Sequence, residues 1–162
     1  MVELQPRMRY QWPMLIHQTL AEAGKDMLHL AIAYALALPI GWDRERAAHT
    51  AGIRTFPIVA MASCGLAMVG VNLPGATPDS YSRILQGLVT GIGFVGGGAI
   101  LKDKSGVSGT ATAASIWNIG IVGAAVGLGI YHIAVVLALL NFITLKLLVP
   151  FKQELSKEEG PK

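Results

Sequence analysis

Five long runs of apolar residues, separated by short polar turns, dominate the chain. They span Asp26–Trp42, Phe56–Leu73, Ile84–Leu101, Thr110–Ile130 and Ile133–Val149. Each holds about 16–21 residues, close to the roughly 20 that an α-helix needs to cross a hydrocarbon core of about 30 Å. A helix on a soluble core alternates apolar and polar faces, whereas these runs stay nearly free of charge all round. The pattern predicts an all-α fold: a polytopic transmembrane helical bundle of about five helices. Residues 1–25 are expected to form a polar N-terminal segment, with a short interfacial helix over 14–24. Residues 26–150 form the transmembrane domain, and residues 151–162 a short, frayed polar tail.

Composition agrees with this division. Charged residues make up 14% of the chain against 52% hydrophobic, where a soluble domain carries about 25% charged. The net charge of +3 does not point to nucleic acid, because the basic residues flank the apolar runs and act there as topology determinants. With the N-terminus outside, nine of the 13 Lys and Arg (44, 46, 54, 102, 104, 146, 152, 157 and 162) fall on the cytoplasmic side. Arg7, Arg9, Lys25 and Arg83 remain outside. That asymmetry predicts an N-out, C-in chain. Residues 1–13 lack the apolar core of a cleavable signal peptide, and the single Cys64 excludes an internal disulfide.

The third run is rich in glycine: Gly87, Gly91, Gly93, Gly96, Gly97 and Gly98. Gly91 to Gly96 match the letters of the dinucleotide fingerprint GxGxxG. That motif works only after a strand and before an amphipathic helix, with an acidic residue some 20 positions on, and this context is absent. Glycines four apart instead let helices approach closely in lipid. A second reading has this helix bent at Gly96–Gly98, freeing carbonyls toward a cavity. In the fourth run Thr112, Trp117 and Asn118 stand out. An asparagine at membrane depth needs a partner across helices: a tie to a residue such as Thr90, or a place on a solute pathway. Asp43, Arg44, Glu45, Arg54 and Arg83 mark the membrane edge, with Asp43 expected to pair with Arg54 or with a partner protein. The four histidines show no metal-ligand spacing, and no nucleophile–base or acid pair is evident. Neither enzyme, cofactor nor metal is expected.

Ile40-Gly41-Trp42-Asp43-Arg44-Glu45, Ala51-Gly52-Ile53-Arg54-Thr55, Ser82-Arg83-Ile84, Thr90 to Gly98 and Thr112 to Trp117 occur in order. Together they resemble the MgtC/SapB family of bacterial inner-membrane proteins. The resemblance covers residues 28–148. It implies a five-helix membrane domain linked to magnesium limitation or acid stress, and a partner such as the rotary ATP synthase; the glycine faces themselves leave a second copy of the chain open as a partner. The family's virulence members carry a soluble C-terminal domain that has no counterpart in the polar residues after Pro150. Asp43 stands where the family usually has Glu, and Ala111 where a polar residue is common. Two functions stay open: a regulator or binding partner of membrane complexes, and a small transporter or channel lined by the third and fourth helices near Thr90, Gly96 and Asn118.

Overall fold

A computed structural model describes residues 12–48, 51–73, 77–103 and 106–158. Among these lie five α-helices: α1 (Trp12–Ala48), α2 (Thr55–Asn72), α3 (Pro78–Gly97), α4 (Thr110–Gly127) and α5 (Tyr131–Glu158). A two-stranded hairpin, β1 (Leu101–Asp103) and β2 (Gly106–Ser108), joins α3 to α4. The all-α bundle is therefore present. Helices α2, α4 and α5 are each long and apolar enough to cross a membrane.

Several boundaries differ from the sequence expectation, among them the third helix, which spans Pro78–Gly97 and not Ile84–Leu101. Helix α1 begins at Trp12 and absorbs the separate interfacial helix expected over 14–24. It also runs on through Asp43–Ala48, because Asp43-Arg44-Glu45-Arg46-Ala47-Ala48 contains no helix breaker and carries a basic residue, Arg46, in the last turn, where it suits the negative helix terminus. The tail expected to fray continues as α5 to Glu158. The loop after α3 forms a hairpin. Its exit needs Gly109, at φ +81° with Ala99 O 1.9 Å from where a Cβ would lie. At the entry to α3, Thr77 and Ser80 cap each other's backbone N–H and Pro78 occupies the first turn, an arrangement that satisfies otherwise orphaned donors.

Helix α4 is the centre of the bundle. It touches all four other helices, and α2 most extensively. The contacts work because α4 presents glycine: a Cβ on Gly123 would lie 2.1 Å from Ala60 O, one on Gly127 2.4 Å from Cys64 O, and one on Gly120 2.1 Å from Ile92 Cδ1. Ile116, Ile119, Val122 and Val126 fill the remaining space with Phe56, Ala60 and Cys64 of α2. Helix α5 behaves differently, exposing Val135, Val136, Leu139, Leu140 and Ile143 as a face of large aliphatics suited to lipid.

Candidate functional site

The charged cluster sits where α1 meets α5, beside the α1–α2 turn. Asp43 and Arg44 are both buried. Lys146 of α5 places Nζ 2.7 Å from Asp43 Oδ1. Arg44 donates Nε–H to Asp43 Oδ2 at 3.1 Å, and its Nη2 contacts the same oxygen. The partner of Asp43 is thus not Arg54, which is exposed just before α2. Burial alone would raise the Asp43 carboxyl, but the hydrogen bonds and charges of Lys146 and Arg44 outweigh it and hold the pKa below the ordinary carboxylate value.

The neighbouring residues have structural work. Glu45 Oε2 accepts the Ile53 N–H at 3.0 Å and closes the α1–α2 turn. Gly52 lies so near that a Cβ there would overlap Glu45, and a Cβ on Gly41 would lie 3.1 Å from Gly52 O. The motif pair around Gly41 and Gly52 is therefore a close crossing of the two chain segments. Arg46 stacks over exposed Trp42, with Cζ 5.0 Å from the ring centroid. Arg83 is exposed on the first turns of α3.

The glycines of α3 divide unexpectedly. A Cβ on Gly96 would lie 3.1 Å from Ala113 O, but Gly87, Gly91, Gly93 and Gly97 have nothing within 4 Å of where a Cβ would lie. The expected packing against a neighbour within the bundle is realised by α4 and by Gly96, not by these four. Nor is α3 broken. It ends at Gly97, and the N–H groups of Gly98, Ala99 and Ile100 bond Phe94 O, Gly96 O and Gly97 O, so these carbonyls are not freed toward a cavity. Phe94 is 85% exposed on the same stripe as Gly87 and Gly91. Between α2 and α3 runs an open groove of about 250 Å³, lined by Val59, Ala62 and Leu66 and by Gly87, Gly91 and Val95.

The polar residues of α4 face α5, not α3. Asn118 Nδ2 donates to Leu137 O at 3.2 Å, and Ser115 Oγ donates to Asn141 Oδ1 at 3.0 Å. Thr90 instead bonds Gln86 O in its own helix at 2.8 Å, and Trp117 points outward, 46% exposed. Thr90, Gly96 and Asn118 thus meet three different neighbours: α3 itself, Ala113 of α4 and α5. Thr112 is buried one turn before Ser115. The sequence reading gave Ser115, Asn141 and Lys146 no site role. The i, i+3 spacing of Thr112, Ser115 and Asn118 is the signal that could have placed all three on one face. Among the described residues, no three His, Cys, Asp or Glu side chains come together.

A helical membrane bundle with closely crossing glycine helices and an edge ion pair defines the class. The comparisons then specify it: a family model described as the MgtC family matches residues 30–154, so the chain belongs to that family. Similar proteins include Protein SrpB of Synechococcus elongatus, 36% identical over 72% of this chain and 70% of its own length. Protein SapB of Bacillus subtilis is 33% identical over 75% of this chain and 56% of its length. Protein MgtC of Salmonella typhimurium is 37% identical over 64% of this chain and 43% of its length. The chain thus spans only about half of the latter two. No solved structure matches.

Proposed function

We propose that this chain is a multi-pass protein of the bacterial inner membrane that regulates another membrane protein by helix–helix association through α3. The carrying observation is the open glycine face of α3. In lipid, helices associate through close packing at small residues, since apolar surface gains nothing by leaving lipid for a partner. A face that met only acyl chains would resemble that of α5, with its exposed Val136, Leu139 and Leu140. Helix α3 instead presents Gly87, Gly91, Gly93 and Gly97 beside an outward Phe94. Each glycine weakens the helix by about 1 kcal/mol relative to alanine, a cost that close approach of a second helix offsets.

All five helices cross in this reading, with the N-terminus outside. The Asp43–Lys146 contact supports it, because it puts the C-terminal ends of α1 and α5 on one side. A single cysteine at Ser105 should then label only from the cytoplasm, and labelling from the periplasm would reverse the topology. The physiological setting is the one the family resemblance implies, magnesium limitation or acid stress, with the rotary ATP synthase among the partners it implies. A photo-reactive residue at Phe94 should capture a second membrane protein in living cells, whereas the same residue at Leu140 of α5 should capture lipid. Equal capture at both positions would remove the basis for assigning α3 this role.

A further inference from the structure

Helices α1 and α5 run parallel and are tied by polar contacts at two levels. His29 Nε2 lies 2.9 Å from Tyr131 Oη at one end, and Asp43 meets Lys146 at the other. Between these ties lies an open groove of about 320 Å³, lined by Ala35, Pro39 and Ile40 of α1 and by Val135, Leu139 and Phe142 of α5. From Val135 to Phe142 it descends about 10 Å at 1.5 Å per residue. That is the scale of one leaflet, half of a hydrocarbon core of about 30 Å. The end of the groove at Asp43 carries an aromatic and a base on each helix. Arg46 Cζ lies 5.0 Å from the Trp42 ring centroid, and Lys146 Nζ lies 5.9 Å from that of Phe142. Pro39, Trp42 and Arg46 share one stripe of α1, and Leu139, Phe142 and Lys146 one stripe of α5, by their spacing of three and four. Asp43 and Glu45 against Arg44, Arg46 and Lys146 leave one positive charge at this end.

We infer that the groove between α1 and α5 is a binding site for one anionic phospholipid, with an acyl chain between the helices and the phosphate at Arg46 and Lys146. The apolar lining and the surplus charge select that chemistry together. A partner helix would need small residues for close approach, whereas this groove is lined largely by bulky side chains and is one leaflet deep. A zwitterionic headgroup would leave the surplus positive charge unmatched. Trp42, 53% exposed, suits the headgroup level, where tryptophan is enriched. A guanidinium stacked on an aromatic face presents its N–H groups edge-on, the geometry that suits phosphate. With the N-terminus outside, the lipid belongs to the cytoplasmic leaflet. The site needs α1 and α5 in the membrane and is independent of the role given to α3.

The test exposes the full chain, in a nonionic detergent, to an equimolar mixture of dioleoylphosphatidylglycerol and dioleoylphosphatidylcholine. Native mass spectrometry then counts the lipids retained. Wild type should keep one phosphatidylglycerol in preference to phosphatidylcholine. Arg46→Gln should cut that preference about fivefold, the worth of one basic residue beside anionic lipid. Ala35→Phe fills the groove from an exposed position and should reduce retention of both lipids. Both variants alter exposed residues, so their melting in detergent alone should match wild type; if Ala35→Phe melts lower, Ala35→Leu takes its place. Equal retention of the two lipids by wild type would overturn the inference. So would an unchanged preference in Arg46→Gln, or undiminished retention in a folded groove-filling variant. Displacement of the lipid by millimolar inorganic phosphate would make this a free-anion site and would equally overturn it.

Discussion

Gly123→Ala should unfold the bundle at temperatures where Gly91→Ala remains fully folded. The two glycines look alike in sequence, each four residues from another glycine. Their surroundings differ completely. A methyl group on Gly123 would lie 2.1 Å from Ala60 O and 3.0 Å from Ala60 Cα, both backbone atoms of α2. Backbone in a packed helix cannot step aside as a side-chain tip can, so α2 and α4 must separate along their whole contact. Overpacking costs 1–3 kcal/mol in ordinary cores and occasionally more; with backbone as the obstacle we expect about 3 kcal/mol or above. On the usual size scaling this lowers the melting temperature by roughly 6–12 °C. At Gly91 the added methyl meets nothing within 4 Å, and alanine's better helix propensity predicts a change of zero to about 1 kcal/mol in the stabilising direction. Intrinsic tryptophan fluorescence on heating in detergent measures both. Equal melting of the two variants would remove the α2–α4 glycine contact from the account.

Asp43→Asn is the second large effect. It leaves buried Arg44 without its carboxylate and releases Lys146 from α1. Breaking a fully buried pair costs about 3–5 kcal/mol, but Lys146 is 57% exposed and water screens its share. A loss of about 1–2 kcal/mol is expected after that discount. The pH dependence has a definite sign. Because the folded Asp43 pKa is lowered, its contribution is fully present above the ordinary carboxylate value of about 3.9. It is lost as the pH falls through the lower, folded value. The gap in melting temperature between wild type and Asp43→Asn should stay constant from pH 5 to 8 and close only in stronger acid. A gap that closes near pH 6 would show that this pair is not what the substitution removes.

The helix count was legible because lipid imposes a length and an absence of charge that composition records directly. Orientation of each helix face was not. The glycines of α3 and α4 follow the same spacing, and only the identity of the neighbours makes one set internal and the other open. Asn118 was readable as a residue needing a partner, yet a period of 3.6 residues does not say which neighbour it meets, and the acceptor proved to be a backbone carbonyl on α5. Asp43 and Lys146 are 103 positions apart, and Lys146 counted in the sequence only as a topology charge. The Gly41–Gly52 crossing was present as a motif, but its reason, a neighbouring backbone that leaves little room for a Cβ at Gly41, required coordinates.

The central claim is that the open face of α3 recognises another membrane protein. Its most direct test combines the photo-reactive residue at Phe94 with Gly91→Leu. Leucine at position 91 fills the stripe that a second helix would enter, and its Cβ has nothing within 4 Å inside the bundle. The account predicts that the captured protein disappears in Gly91→Leu while the melting temperature stays within a degree or two of wild type. Undiminished capture in a normally folded Gly91→Leu variant would contradict it.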